Sequence, residues 1–148
     1  MCGIFCYLGN EIIKNRELLI NNSNKINKRG PDNTKNLFIN KKIFFSFHRL
    51  SINGLNDESD QPMFNENIYL ICNGEIFNYK ELIKEHNLES EYKTDSDCYI
   101  ILLLYKKYGI KKTCSLLDGE FSFILYDKNI NKTFIARDHL GIRSLFLG

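Results

Sequence analysis

The chain has no tryptophan, only two prolines among 148 residues, and no excess of either charge: 20 basic side chains oppose 18 acidic ones, for a net charge of +2. So even a balance gives no electrostatic footprint for nucleic acid or for an anionic membrane surface. No apolar run approaches the roughly 20 residues that span a bilayer, and the start Met1-Cys2-Gly3-Ile4-Phe5 lacks the basic region of a secretory signal. A cytoplasmic protein without membrane or nucleic-acid partners is the resulting expectation. The five cysteines (Cys2, Cys6, Cys72, Cys98 and Cys114) form no C-x-x-C pair and no Cys/His cluster at zinc spacing. Neither a disulfide framework nor a metal site is therefore expected. The chain also lacks repeats, linkers and low-complexity tracts, while 43% of it is hydrophobic, which predicts one domain over residues 1–148 with a self-sufficient core.

Hydrophobic patterning supplies the elements. Ile4-Phe5-Cys6-Tyr7-Leu8 reads as a buried strand stopped by Gly9-Asn10, and a helix is predicted from about Asn15 to Asn27. Ile43 to His48 reads as a strand with Ile43, Phe45 and Phe47 on one face and Phe44, Ser46 and His48 on the other, and 53–61 as a polar loop. Ile68 to Cys72 is apolar on both faces and is predicted to end at Asn73-Gly74-Glu75. Asn78 followed by Glu81, and Thr94 followed by Asp97, have the spacing of helix capping boxes. They precede predicted helices ending near His86 and at Tyr108-Gly109, with a short helix near Lys111 to Leu117. Glu120 to Asp127 and Thr133 to Arg137 then form a predicted antiparallel hairpin. Strands, helices, then more strands with hairpin connections favour an α+β layered fold: antiparallel sheets packed on each other and covered outside by helices.

Several residues carry candidate chemistry. Cys2 becomes the first residue if Met1 is removed, and an amino-terminal cysteine unites a thiol nucleophile with its own amine as proton shuttle. In Asn73-Gly74-Glu75 a carboxamide donor and a glycine N–H can point together at a developing oxyanion, although a plain Asn-Gly turn fits the pattern too. The planar fork of Arg49 suits bidentate capture of a carboxylate, although a solvated or structurally paired arginine fits the segment equally well, and Asp97 can hold an ammonium group or serve only in the capping box. His48 and His139 have no nucleophile at recognisable spacing and read as structural.

Taken together, Met1-Cys2-Gly3-Ile4-Phe5, Arg29-Gly30-Pro31-Asp32, His48-Arg49-Leu50-Ser51-Ile52, Gln61-Pro62-Met63, Asn73-Gly74-Glu75-Ile76-Phe77-Asn78, Ser96-Asp97-Cys98, Leu117-Asp118-Gly119-Glu120-Phe121 and Ala136-Arg137-Asp138-His139-Leu140-Gly141-Ile142-Arg143 are collinear along the chain. In that order they resemble the class II glutamine amidotransferase domain, an amino-terminal-nucleophile (Ntn) hydrolase. The similarity is strongest to the glutaminase domain of glutamine-hydrolysing asparagine synthetases. The resemblance implies a four-layer αββα sandwich of two stacked antiparallel sheets flanked by helices. It implies hydrolysis of the L-glutamine side-chain amide, with Cys2 as nucleophile and Asn73 and Gly74 as the oxyanion hole. Arg49 would bind the substrate α-carboxylate, Asp97 and Glu75 the α-ammonium side, and the backbone around Leu50 and Ile52 would line the pocket. It implies no metal and no cofactor for this step. ATP and Mg²⁺ would belong to a synthetase domain that these 148 residues do not contain, the expected partner beside L-glutamine, and a homodimer stays open. A different ammonia acceptor, or a catalytically silent glutamine-binding module, are the alternatives. Cys6, Lys28 and Ser144 depart from the family pattern, where glycine, histidine and proline are usual.

Overall fold

The computed structural model describes residues 1–10, 12, 14–51 and 60–148. The elements run β1 (Gly3–Leu8), α1 (Arg16–Asn24), a 3₁₀ turn (Asn27–Arg29), β2 (Asn33–Phe38), β3 (Ile43–Arg49), β4 (Met63–Asn65) and β5 (Ile68–Ile76). They continue with α2 (Tyr79–Glu85), α3 (Tyr99–Leu116), β6 (Gly119–Asp127) and β7 (Lys132–Arg137). Two antiparallel sheets result, one ordered β1-β3-β2 and the other β4-β5-β6-β7. The α+β class predicted from the sequence is the observed one.

The strand period of two explains the layering. Ile43, Phe45 and Phe47 of β3 meet Ile71 of β5 and Ile124 and Tyr126 of β6 between the sheets, joined by Cys2, Ile4 and Cys6. The opposite face of β3 turns Phe44 toward Leu19 of α1 and Ile12. On the far side of the second sheet, Leu70, Cys72, Phe123 and Leu125 pack against Leu82 of α2 and the apolar residues Ile100 to Leu104 of α3. The order of layers is therefore helix, sheet, sheet, helix, and the face assignment predicted for β3 is the one observed.

Four local expectations need correction. The strand ending near Cys72 continues to Ile76, so Asn73-Gly74-Glu75 is strand, paired with Ser122, Phe121 and Glu120, rather than a turn. Two strands were missing from the sequence reading: β2, whose first four residues are exposed, and the three-residue β4. Asn78 stands at the N-cap of α2 without a side-chain cap bond, and α3 is capped at Cys98 rather than at Thr94, whose Oγ1 accepts the Ser96 N–H (3.2 Å). The Asn78 carboxamide bonds the Leu116 carbonyl (2.9 Å) and the Asp118 N–H (3.0 Å), and Asp97 accepts from Ile76 N–H (2.5 Å). Finally, α1 ends at Asn24, short of the predicted Asn27. Gly109 interrupts α3 with a left-handed φ of 75°, which splits it much as the sequence suggested. Most of the predicted polar loop at 53–61 lies outside the described residues.

Candidate active site

The inner faces of both sheets carry the candidate groups to one end of the sandwich. Alternation along β3 continues the series Ile43, Phe45, Phe47 to Arg49, and along β5 it continues Tyr69, Ile71 to Asn73 and Glu75. On β1 the same period places Cys2 in line with Ile4 and Cys6. A pocket of about 110 Å³ opens there, and Cys2, Arg49, Leu50, Asn73, Gly74, Glu75 and Asp97 all line it. Ile52, the remaining predicted site residue, lies outside the described residues.

Loop chemistry fixes the surroundings of Cys2. The Leu50 N–H donates to the Cys2 Sγ at 3.4 Å, and the Cys2 thiol points to the Leu50 carbonyl at 3.8 Å. The Arg29 Nε donates to the Cys2 carbonyl (3.3 Å), which tethers the chain start. Asp32 accepts from Ser51 N–H (2.6 Å) while its own N–H bonds the Arg49 carbonyl (3.0 Å). The Arg-Gly-Pro-Asp segment thus braces both Cys2 and the strand end that presents Arg49. Gly30 is required by close approach, since a Cβ there would lie 2.0 Å from the His48 carbonyl oxygen.

Arg49 is ion-paired to Asp60, which also binds the Lys35 ammonium (2.6 Å). Burial works to raise the Asp60 pKa, but the hydrogen bonds from Lys35 and Arg49 outweigh it and hold the carboxyl below its ordinary value. Asp97 is shifted the opposite way. Burial is the main cause of its raised pKa and the nearby Glu75 charge adds to it, against the backbone N–H bonds from Ile76 and Cys98. The pocket thus sets two carboxylates, Asp97 and Glu75, close enough for their charges to oppose each other.

The edge of β5 beyond the short β4 is the most informative element. The Cys72 N–H donates to the Gln61 Oε1 (2.5 Å) and the Gln61 Nε2 donates to the Cys72 carbonyl (3.0 Å), so a side-chain amide supplies the pairing that β4, whose register stops at Met63 opposite Leu70, does not reach. Two residues on, the Gly74 carbonyl accepts from the Cys98 thiol (3.8 Å), and four residues on, Ile76 N–H donates to Asp97. Alternation sends all these backbone groups to the same edge, away from β6, and directs the Gly74 N–H there between its two clamped neighbours. Glycine at this position answers to β6: a Cβ would lie 2.2 Å from the Glu120 carbonyl oxygen and 2.5 Å from the Phe121 Cα. That close contact, rather than room for a ligand, is the observed reason for the residue.

Among the pocket residues that sequence reasoning did not assign to the site are Gln61 and Arg143. Each sits in one of the collinear blocks, which was the signal available. Arg143 pairs with Glu120, which stands directly opposite Glu75 across β5 and β6, so it offsets a cross-strand pair of like charges. Its Nε is buried and has no hydrogen-bond partner among the described residues. The histidines lie elsewhere. His48 is fully buried with Nδ1 at 2.9 Å from the Thr34 hydroxyl, and desolvation lowers its pKa; His139 is exposed.

A model of the glutamine amidotransferase domain matches residues 1–148. The chain belongs to the glutamine amidotransferase family. Among curated relatives of this amidotransferase domain, it is 38% identical to the probable asparagine synthetase (glutamine-hydrolyzing) of Acanthamoeba polyphaga mimivirus over 154 residues, covering 100% of this chain and 28% of the relative. It is 37% identical to asparagine synthetase (glutamine-hydrolyzing) 1 of Arabidopsis thaliana, covering 100% of this chain and 25% of the relative. It is 39% identical to asparagine synthetase (glutamine-hydrolyzing) 2 of Bacillus subtilis, covering 99% of this chain and 20% of the relative. The amidotransferase domain described here thus spans between a fifth and three tenths of those relatives' lengths. Among its described residues, no helix is long and apolar enough to cross a membrane.

Proposed function

We propose that the domain hydrolyses the side-chain amide of L-glutamine to glutamate and ammonia through a thioester on Cys2. The convergence in one pocket of a thiol, a strand-edge N–H, a guanidinium and two carboxylates carries this reading. Glutamine is a zwitterion at one end and a neutral amide at the other, and each part has a counterpart. Arg49 takes the α-carboxylate, and Asp97 with Glu75 takes the α-ammonium group. Removal of Met1 frees the Cys2 amine, which accepts the thiol proton as Sγ bonds to the amide carbon. The carbonyl electron pair moves onto oxygen, held by the Gly74 N–H and the Asn73 carboxamide. Collapse of this intermediate breaks the C–N bond, and the amine's proton leaves with the nitrogen as ammonia. Water then attacks the thioester carbon, giving glutamate and returning the proton to sulfur.

The relatives' names support an ammonia-supplying role beside a synthetase domain that makes asparagine, where ATP and Mg²⁺ would act. A reducing, cytoplasmic setting suits the five cysteines, all of them free thiols. The test combines intact-protein mass, a glutaminase assay and labelling by 6-diazo-5-oxo-norleucine, a glutamine-mimicking electrophile. Active protein lacks Met1 and takes up the label on Cys2 alone. Burial pushes the Cys6 thiol up to about 12, and Cys98 is raised by its bond with the Cys72 thiol and by burial, so neither competes. Labelling that persists in Cys2→Ala refutes the nucleophile. Full activity in protein retaining Met1 refutes the free amine as proton carrier, and glutamine binding without turnover favours a silent binding module.

A further inference from the structure

The edge of β5 leads from the site to a residue that touches no reacting atom. Gln61 is 5% exposed, and both ends of its carboxamide are bonded to the backbone of one residue, Cys72. Such pairing is what a neighbouring strand would supply, and β4 does not: its register stops at Met63 opposite Leu70. Without the Gln61 amide, the Cys72 N–H and C=O would be buried polar groups at an open edge. The next peptide along is that of Asn73, and the next N–H on the same edge is that of Gly74. Asp97 pins the edge on the other side through Ile76. The immediately preceding residue, Asp60, holds Arg49 on the opposite wall. Two consecutive side chains therefore fix the two walls of one pocket.

We propose that Gln61 is the positioning residue of the oxyanion hole: by standing in for a missing strand at Cys72, it fixes where the Asn73 carboxamide and the Gly74 N–H point. The assignment rests on the glutaminase reading above. It concerns the transition state, because the oxyanion exists only there, so its loss falls on kcat rather than KM. Misplacing a donor by about an ångström typically costs on the order of 10²-fold in rate.

Two variants of the full chain test it. Gln61→Met keeps the side chain's length and loses both hydrogen bonds; kcat falls about 10- to 100-fold while KM stays within about threefold. Gln61→Glu keeps the acceptor for the Cys72 N–H but, when ionised, sets a carboxylate against the Cys72 carbonyl. Once protonated, its hydroxyl donates to that carbonyl as the amide does. The ratio of Gln61→Glu to wild-type kcat therefore climbs as pH is lowered, a response that generic destabilisation would not produce. If Gln61→Met fails to fold, the Gln61→Glu profile decides. A wild type active on glutamine, with Gln61→Met folded and within twofold of its kcat or with Gln61→Glu showing no rise on acidification, overturns the proposal alone. A wild type inactive on glutamine overturns the glutaminase reading and this role with it.

Discussion

Asp97→Asn separates what the site costs the fold from what it gives the ligand. The carboxylate is half-buried and its pKa is raised, by desolvation first and by the Glu75 charge as well. A raised carboxyl binds its proton more readily folded than unfolded. The wild type therefore loses stability as pH climbs from the ordinary aspartate value through the raised one, and stays penalised above it. Asparagine is nearly isosteric, carries no charge, and its Oδ1 can still accept the Ile76 N–H that Asp97 now holds at 2.5 Å. Asp97→Asn should be at least as stable as wild type at neutral pH, and the gap should close toward acid, where both side chains are neutral. Binding moves the other way. Removing one partner of a desolvated charge pair costs about 2–4 kcal/mol, or roughly 30- to 1000-fold in affinity for the substrate ammonium. Guanidinium denaturation between pH 4 and 8, set beside glutaminase kinetics, reads both quantities. A variant that is less stable at neutral pH, or whose KM for glutamine is within about threefold of wild type, refutes the reasoning.

Gly30→Ala places a methyl group 2.0 Å from the His48 carbonyl oxygen, so backbone must move at the strand end that presents Arg49. Overpacking of this kind costs about 1–3 kcal/mol, and a denaturation midpoint equal to wild type would show the contact to be soft. Asp138 accepts from the N–H groups of Phe121, Ile142 and Arg143 at 3.2, 2.9 and 3.1 Å; burial pushes its pKa up, but these bonds prevail and hold it below the ordinary value. With Asp60 lowered as well, both contribute stability in full above pH 3.8, and that contribution drains away as pH falls through their depressed values. An acid-unfolding midpoint that does not rise in Asp138→Asn would contradict this.

What the sequence made legible follows from where each residue finds its partners. The faces of β3 could be read because the alternation of Ile43, Phe45 and Phe47 is a local pattern with one buried consequence. The end of β5 could not, because Asn-Gly is ordinarily a turn and what keeps it extended comes from far along the chain: Glu120 and Phe121 on one side, Gln61 and Asp97 on the other. The spacing of Thr94 and Asp97 misled for the same reason, since Asp97 also accepts from the Ile76 N–H, 21 residues away, which no local pattern announces. β2 escaped notice as a polar strand at the edge of its sheet, where hydrophobic periodicity is weak. The candidate site was visible through collinear blocks, whereas Gln61 and Arg143 acquire meaning only beside the backbone they support.

The sealed margin of β5 has a consequence for behaviour in a crowded solution. A strand edge with a row of open N–H and C=O groups is a template on which another chain can pair and begin to aggregate. Here the side chains of Gln61 and Asp97 occupy the positions on either side of Gly74, and the gap between them is a single peptide wide. An invading strand needs several bonds in register and finds no run of them, whereas one small oxygen needs only one. The same closure that leaves the Gly74 N–H between two clamped neighbours keeps this margin of β5 from serving as such a template.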